Sequence, residues 1–384
     1  MFLQSLLNIV SVKINEIIDI MTDLFKVYMP DSLNTLAIND ILRSGKLTSG
    51  FYLKEFEGKL REFIGNPYIV VTANNNYASL IALSLCSIKN DDEVIASPMA
   101  CLASTQPILN FGAKIIWADI DPKTGSLNPE DVKKRITSKT KAILHYHWGG
   151  YPGYIDEINE IGLVHGIPVI DDAIESFGSE YKNKKMGNTG TDITTFSFQT
   201  VRLPNSIDGG AIAFKSKELF DKAIKMRDFG ITRSTFRDSF GEISSESDIS
   251  AVGYNALMNE MNAFVGSQIM DDVPHLIEQQ RENAFTWDRF FEKDIQKLNY
   301  RSEILPNYWI YSYLADDQIS EMELFRKQGI YASKVHLRND YYSCFGQFDD
   351  SLKGVNYFAQ HQLSVPSGWW VNKNEILKLN DFAK

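Results

Sequence analysis

The sequence predicts an α/β protein whose mostly parallel sheet is covered by helices on both faces. Between about residues 68 and 215, short apolar segments alternate with segments of helical periodicity. The apolar segments are hydrophobic along nearly their whole length, as strands buried on both faces are. At 384 residues the chain exceeds what one small core needs, which favours two domains.

The order of the elements follows from the change of period along the chain. The segments predicted as strands are YIVVTA (68–73), DEVIASP (92–98), AKIIWADI (113–120), KAILHYH (141–147) and IPVIDDA (167–173). The segments predicted as helices are ASLIALSLCSI (78–88), LASTQPILNFG (102–112), NPEDVKKRI (128–136) and IDEINEIGLVHG (155–166). Ligands collect at the carboxyl ends of parallel strands. The predicted site walls are therefore TANNN, ASPMAC, ADIDP, HWGG, DDAIES and the stretch around Ser197.

The last third of the chain has a different pattern. After Gly266 we predict a long helix interrupted near Pro274, then a strand in NYWIYSYLA and a helix in SEMELFRKQGI. This order predicts a smaller α+β C-terminal domain. The expected boundaries are an N-terminal extension over 1–28, a large α/β domain over 29–265 and the small domain over 266–384.

The N-terminal 20 residues carry apolar side chains at helical spacing but no basic start and no small-residue cleavage site. They are a poor signal peptide, and we predict an extra helix that docks on the body or on a partner. Since Met21 opens a new segment, these residues are alternatively an upstream extension of a protein whose core begins there.

Composition and charge exclude several classes of function. A net charge of −10 argues against nucleic acid as a partner, because no basic surface is concentrated enough to release counterions. No apolar stretch reaches the roughly 20 residues of a membrane span. Three scattered cysteines fit neither a metal site nor a disulfide framework, which favours a reducing cytoplasm. His145 and His147 point the same way on a predicted strand, but with no third ligand we predict no metal site.

The stretch TFSFQTVRLPNSIDGGAIAF (195–214) has the pattern of a strand, a turn, two glycines and a second strand. A chain of this shape lifts one side chain into a pocket and then turns back. The side chain in the lifted position is Arg202.

Three stretches carry a resemblance to a known family: FYLKEFEGKLREFIG (51–65), VIDDAIESFGSEYKNKKMG (169–187) and the Arg202 stretch. In this order and spacing they resemble the DegT/DnrJ/EryC1/StrS family of nucleotide-sugar aminotransferases. The likeness runs from about residue 30 to the end, with further matches in VGYNALMNEMNAFVGSQI and QGIYASKVHL. It implies the fold type I of pyridoxal phosphate (PLP) enzymes, with a mostly parallel seven-stranded sheet, and a homodimer with shared active sites.

The resemblance also implies roles for individual residues. Asp172 matches the aspartate that pairs with the pyridine nitrogen of the cofactor, where an anion makes the ring an electron sink. An alternative for Asp172 is a strand-end residue that caps the next helix. Glu175 matches a Gln or Glu near the cofactor oxygen, and Ser197 matches a phosphate-binding hydroxyl. Asn255 matches an asparagine that reaches the phosphate of the neighbouring subunit's cofactor.

The departures from the family pattern cluster at the same site. The family has a Ser-Gly-Thr run where this chain has Asn74, Asn75 and Asn76, which tolerate the left-handed turn of an anion nest but lack the threonine hydroxyl. An aromatic residue usually stacks on the cofactor where this chain has Leu102. At Leu257 the family more often has a basic residue.

Arg202 is the decisive departure, because it falls where the family carries the Schiff-base lysine. A lysine sheds its proton to act as nucleophile or base, whereas a guanidinium stays protonated. Arg202 alternatively holds a phosphate or carboxylate bidentately.

Two kinds of function remain open from the sequence. One is an enzyme that acts on a keto-sugar linked to a nucleoside diphosphate, in surface-polysaccharide or amino- and deoxy-sugar biosynthesis. It would use PLP or pyridoxamine phosphate (PMP), either for transamination or, like the family members with histidine at this position, for PMP-dependent removal of a sugar hydroxyl. The other is a catalytically silent homologue that serves as a binding or partner subunit.

Overall fold

The computed structural model describes residues 21–291, 296–298, 301–346 and 348–379. Its strands are β1 (Ile69–Thr72), β2 (Glu93–Ala96), β3 (Lys114–Trp117), β4 (Ile120–Asp121), β5 (Ser126–Leu127), β6 (Thr140–Tyr146), β7 (Val169–Asp172), β8 (Glu180–Tyr181), β9 (Lys184–Lys185), β10 (Ile193–Ser197), β11 (Gly210–Phe214), β12 (Gln296–Lys297), β13 (Ile304–Leu305), β14 (Tyr311–Leu314) and β15 (Gln362–Val365). The helix predicted within residues 1–20 lies outside the described residues.

The helices of the described residues separate most of these strands. They are α1 (Thr35–Arg43), α2 (Phe51–Ile64), α3 (Asn75–Leu85), α4 (Leu102–Leu109), α5 (Pro129–Arg135), α6 (Ile155–His165), α7 (Lys217–Met226), α8 (Glu260–Met270), α9 (Val273–Phe290), α10 (Gln318–Lys327), α11 (Lys353–His361) and α12 (Lys373–Ile376). Among the described helices, none combines the length and apolar character needed to cross a bilayer.

The predicted, mostly parallel sheet is present with seven strands in the order β1-β11-β10-β7-β6-β2-β3. Strand β11 runs antiparallel to both of its neighbours, and the remaining pairs are parallel. The parallel strands β6, β7 and β10 therefore deliver their carboxyl ends to one edge of the sheet. A separate three-stranded sheet, β12-β14-β15, lies in the last third of the chain.

Both faces of the central sheet are buried, as the continuous apolar strands predict. Alternate side chains of β1 and β11 enter two different cores, so that Val70 and Ile212 pack on one side while Val71 and Ala213 pack on the other. A third apolar cluster, centred on Trp287, holds the C-terminal strands against α9 and α10.

Capping residues decide where several elements begin and end. Helix α3 starts at Asn75, earlier than its apolar pattern predicts, because the side chain of Asn74 accepts a hydrogen bond from the Tyr77 N–H at 3.0 Å. The predicted interruption near Pro274 is a break between α8 and α9, with the proline in the first turn, where its missing N–H is tolerated. The strand predicted in NYWIYSYLA shortens to β14, because Tyr308 has a φ of 53°.

Glu260, the first residue of α8, caps the start of another helix. Its buried carboxylate accepts the backbone N–H groups of Gly50 at 2.8 Å, Tyr52 at 2.9 Å and Leu53 at 3.2 Å. Helix α2 has no side-chain cap of its own, so these three donors depend on a contact from more than 200 residues away.

Replacement of Glu260 by alanine is expected to lower the free energy of unfolding by about 3 kcal/mol, because it leaves backbone donors without an acceptor. Urea denaturation followed by circular dichroism measures this loss. Glu62→Ala changes an exposed carboxylate on α2, the helix that Glu260 caps. The free energy of unfolding of this variant is expected to stay within about 0.5 kcal/mol of that of the unmodified protein. Equal losses in the two variants would show that Glu260 does not act as a cap.

Candidate active site

The carboxyl ends of β6, β7 and β10 meet at one edge of the central sheet and form the candidate site. Tyr146, Asp172 and Ser197 are the last residues of these three strands. In the register of the sheet, Asp172 is paired with Tyr146 on one side and with Thr195 on the other. The stretches predicted as site walls around these residues are therefore adjacent.

Asp172 is a buried carboxylate with little to neutralise it. The backbone N–H of Ile174 donates to its Oδ1 at a long 3.3 Å, the hydroxyl of Ser104 also acts to lower its pKa, and the side chain is almost fully shielded from solvent. Burial raises the pKa of Asp172 from 3.8 to about 6, assisted by the negative charge of Glu175. A protonated ring nitrogen is a group that would relieve this cost.

Ser197 and the start of α3 meet across Gly210. Ser197 and Thr72 are the register partners of Gly210 on the two sides of β11. A Cβ on Gly210 would lie 2.7 Å from the carbonyl oxygen of Asn74 and 2.8 Å from the Cα of Asn75, so only glycine permits this approach. The Asn75 side-chain oxygen is buried and accepts no hydrogen bond from the described residues. A helix start beside a buried hydroxyl suits a phosphate.

Arg202 lies in the pocket, on the turn that connects β10 and β11. Its side chain is 9% exposed, and its Nη1 donates to Oε1 of Glu175 at 3.4 Å. The guanidinium carbon stacks over the ring of Trp309, 4.1 Å from its centroid. The Nε of Arg202 is buried and has no hydrogen-bond partner among the described residues, so the guanidinium keeps unused donor capacity.

Glu175 connects Arg202 to two further groups. Its Oε2 accepts the backbone N–H of Gly149 at 2.8 Å, and its Oε1 lies 3.0 Å from Nε2 of His336. Burial acts to raise the pKa of Glu175, but the hydrogen bond and charge of His336 and the charge of Arg202 outweigh it and lower that pKa. Glu175 is therefore ionised at neutral pH.

The wall that leads into α4 carries Cys101 and Leu102. Leu102 is the first residue of the helix and is half-buried. Burial raises the pKa of the Cys101 thiol, which also senses the charges of Arg202, Glu175 and Asp172. Leu102 therefore stands beside the pocket, in the place where the resemblance expects an aromatic ring.

Comparison with known proteins agrees with this geometry. The model of the DegT/DnrJ/EryC1/StrS aminotransferase family matches residues 31–343. The chain belongs to this family. It is 30% identical over 278 residues to GDP-perosamine synthase from Escherichia coli O157:H7, covering 72% of this chain and 73% of that protein. The family predicted from the sequence is therefore confirmed.

Solved structures of sugar aminotransferases have a fold similar to that of this chain. Sugar aminotransferase CalS13 from Micromonospora echinospora superimposes with a TM-score of 0.86 at 26% identity, covering 93% of this chain and 97% of that one. The PMP form of the sugar aminotransferase homologue Spr1654 from Streptococcus pneumoniae superimposes with a TM-score of 0.82 at 20% identity, with 93% and 95% covered. At that identity the second likeness concerns the fold alone.

Asn76 and Asn255, the remaining residues predicted for the site from the family resemblance, are both exposed in the single chain. Asn76 lies in the first turn of α3. The N–H of Ala73 donates to the carbonyl of Ala256 at 2.9 Å, which sets Asn255 beside the start of α3. In one chain the two asparagines thus lie exposed at the start of α3.

The structure corrects one expectation about His145 and His147. The sequence offered them no third ligand, yet Asp171 lies 3.2 Å from a ring nitrogen of each, in a cluster that is fully buried. Asp171 is 26 residues from His145 in the sequence and becomes its neighbour only through the pairing of β6 with β7. Side chains alternate along β7, so Asp171 points away from the face that Asp172 serves.

Hydrogen bonding in this cluster does not suit a metal ion. The Gly153 N–H donates to Nδ1 of His147 at 3.0 Å, so the hydrogen of the neutral ring is on Nε2, the atom that faces Asp171. Thr191 donates to Asp171 at 2.6 Å. Burial acts to raise the pKa of Asp171, but the two imidazoles outweigh it and lower that pKa. Asp171 is thus an ionised carboxylate that accepts hydrogen bonds from the two histidines and from Thr191.

Three residues of the site were not singled out from the sequence. His336 was part of the matched stretch QGIYASKVHL without a role, Tyr146 lay between the two histidines, and Trp309 belonged to the segment NYWIYSYLA, which was predicted only as a strand. All three contact the Arg202–Glu175 pair or its neighbours through long-range contacts. No local spacing in the sequence signals such contacts.

A large surface cavity of about 1410 Å³ lies elsewhere on the molecule. It is lined by the end of α6, the amino ends of β7 and β10, and the side chains of Asp192 and Lys215. This is the edge of the sheet opposite to the candidate site. Lys215 pairs there with Asp192 at 3.7 Å, so this lysine is held away from the site.

Proposed function

We propose that this chain binds PMP or PLP without a covalent bond and acts on a keto-sugar carried by a nucleoside diphosphate. The observation that carries the proposal is Arg202, which falls where the family resemblance expects the Schiff-base lysine and whose buried guanidinium pairs with Glu175. Similarity to GDP-perosamine synthase supports a nucleotide-linked sugar as substrate. The pathway would make amino- or deoxy-sugars for surface polysaccharides such as O-antigen or capsule.

The residues of the pocket fit such a cofactor. Asp172 would hold the protonated ring nitrogen, and its raised pKa follows from its burial. Ser197 and the first turn of α3, with Asn75 and Asn76, would hold the phosphate. Leu102 would cover one face of the ring. When bound, the cofactor supplies an electron sink for a carbanion beside the reacting nitrogen.

Arg202 and Glu175 would then act through charge and position. The guanidinium neither forms a bond with an aldehyde nor gives up its proton, so both forms of the cofactor would be held by non-covalent contacts. Its Nε has unused donor capacity, which suits an anionic or carbonyl oxygen of the substrate. The ion pair with Glu175 would hold the guanidinium of Arg202 in position.

A homodimer with shared sites, located in the cytoplasm, belongs to the same proposal. Asn255 is exposed at the open side of the pocket, where a partner subunit's cofactor phosphate would meet it. The surrounding segment exposes large apolar side chains, with Phe240 at 88%, Val252 at 85% and Ile243 at 62%. Apolar surface of this kind favours a protein partner.

The experiment that tests the proposal adds PLP and, separately, PMP to the purified protein. Both are expected to quench tryptophan fluorescence and to be removed by dialysis, because neither is covalently bound. Borohydride followed by peptide mass spectrometry is expected to leave the pocket peptides unmodified. Stoichiometric reduction onto one lysine would contradict the proposal, since another amine would then have replaced the missing one.

A second candidate function is that of a silent partner subunit. It is favoured by the way Arg202 is already engaged by Trp309 and Glu175. In that case the same titration would show no binding of either cofactor form. A mixture with an active relative would then form a heterodimer in size-exclusion chromatography with light scattering.

A further inference from the structure

If Arg202 cannot move a proton, another group beside it has to do so in any reaction at carbon. The described groups around the pocket differ in their readiness to change charge. Burial raises the pKa of Tyr146 well above its ordinary value and also raises that of Cys101, so both stay protonated. The lowered pKa of Glu175 keeps it ionised. These three groups and Arg202 are thus fixed in charge at neutral pH.

His336 is the remaining candidate near Arg202. An imidazole ring can accept a proton on one nitrogen while the other donates a hydrogen bond. Its side chain is 17% exposed, whereas Glu175 beneath it is 1% exposed, so the ring is the part of the pair that solvent or a ligand can reach. The ring packs edge-on against Trp148 at 5.5 Å between centroids, which limits its rotation.

The hydrogen bonds of His336 define which atom would carry the proton. Nε2 lies 3.0 Å from Glu175 and 3.3 Å from the hydroxyl of Tyr146. Because the ionised Glu175 only accepts, Nε2 carries the hydrogen of the neutral ring, and the lone pair is on Nδ1. A proton taken up at Nδ1 makes a cation that Glu175 stabilises, and release from the same atom restores the ring.

The backbone before His336 supplies an independent observation. Val335 has a φ of 63°, a conformation that β-branched residues rarely adopt. The N–H of His336 donates to the carbonyl of Lys334 at 2.7 Å, which closes a tight turn around Val335. Turns of this kind are strained, and strain of this kind concentrates at functional sites. The turn fixes the direction in which His336 leaves the backbone.

We propose that His336 is the proton carrier of this pocket, held by Glu175, in the place of the lysine that Arg202 has replaced. The proposal rests on the proposed function, since it concerns the proton that such a reaction moves. Asp172, the other titratable group at this edge of the sheet, is assigned to the ring nitrogen and is thereby occupied.

The first test needs no cofactor. The full-length protein is labelled with ¹⁵N in its histidine rings, and the resonances of His336 are assigned by their loss in His336→Gln. We expect the ring hydrogen to be on Nε2 in the unmodified protein and this preference to weaken in Glu175→Gln, whose amide both donates and accepts. Hydrogen on Nδ1 in the unmodified protein, or a preference for Nε2 that is unchanged in Glu175→Gln, overturns the proposal.

The second test measures a single turnover of the PMP-loaded protein with 2-oxoglutarate as the probe. The nitrogen of PMP passes to the keto carbon, which yields PLP and glutamate, and mass spectrometry measures the glutamate. His336→Gln keeps an N–H for Glu175 but cannot carry a proton, so its rate is expected to fall about 100-fold with PMP affinity unchanged. His165→Gln, at an exposed position on α6, serves as the control with an unchanged rate.

The outcomes separate the two proposals. An unchanged rate in His336→Gln, with PMP bound, rejects His336 as the proton carrier and leaves the proposed function standing. PMP that fails to bind the unmodified protein rejects the proposed function itself. The ¹⁵N spectrum is independent of the cofactor and still reports whether Glu175 fixes the ring hydrogen of His336 on Nε2.

Discussion

Replacing Arg202 with lysine is expected to create a covalent link to PLP that the unmodified protein lacks. The side chain at position 202 already projects into the pocket, where it lies 3.4 Å from Glu175. An amine at this position can lose its proton when buried and then attack an aldehyde, which a guanidinium cannot do. A yellow protein whose PLP is retained on dialysis is the expected result.

The measurement is the visible spectrum, followed by borohydride reduction and peptide mass spectrometry. The mass of the reduced cofactor is expected on Lys at position 202. Amino transfer is expected to rise by about 100-fold or more, because an amine that can both bond to the cofactor and move a proton then acts beside His336. Stability is expected to fall by about 1 kcal/mol, because the stacking of Arg202 on Trp309 is weakened.

Arg202→Met is the matched control, since it fills similar space with neither a charge nor an amine. It is expected to bind PLP without any covalent adduct. If Arg202→Lys binds PLP but gives no adduct, position 202 does not reach the aldehyde, and loss of the lysine no longer explains altered chemistry.

Asp172→Asn is expected to stabilise the cofactor-free protein at neutral pH. Burial raises the pKa of Asp172 from 3.8 to about 6, so the folded protein binds this proton more tightly than the unfolded chain does. Stability therefore falls as pH rises from about 4 to about 6 and stays low above that range. The neutral amide removes this cost, which amounts to about 3 kcal/mol at 1.36 kcal/mol for each pKa unit.

Thermal unfolding between about pH 4 and 8 tests this expectation. The stabilisation by Asp172→Asn should be full above about pH 6 and vanish near pH 4, where the carboxyl is protonated in both states. The same variant is expected to bind PLP and PMP more weakly, because the anion for the ring nitrogen is gone. A variant that is less stable than the unmodified protein at pH 8 would contradict the assignment.

The neighbouring Asp171→Asn gives a contrast of opposite sign. The pKa of Asp171 is lowered by His145 and His147 against the effect of burial. Its contribution to stability is therefore present above pH 3.8 and is lost as pH falls below that value. Asp171→Asn is expected to destabilise the protein at neutral pH, so adjacent aspartates on one strand should respond in opposite directions.

Much of the candidate site follows from order along the chain. The strand ends after β7 and β10, the asparagine run and Arg202 stand at recognisable distances from apolar segments. The rule that ligands gather at carboxyl ends of parallel strands assigns them to one edge. In the sheet, Asp172 is paired with Tyr146, so the carboxyl ends of β6 and β7 are adjacent.

The order of residues along the chain does not predict contacts between residues that are far apart in the sequence. Glu260 caps a helix that begins more than 200 residues earlier, and Trp309 supports Arg202 from the other end of the chain. Asp171 joins the two histidines only because β6 and β7 are neighbours. Local periodicity is blind to such pairs, since it depends on the side chains of one element.

The sequence by itself determined the fold class and the family, because these depend on periodic apolar patterns and on motifs in a fixed order. That Arg202 stands at the position of the family's lysine is a prediction from the same motifs. Only the tertiary structure decided the charge state of the pocket. Burial raises the pKa of Asp172, whereas His336 and Arg202 lower the pKa of Glu175, and the strength of such interactions depends on separation and surroundings rather than on residue type.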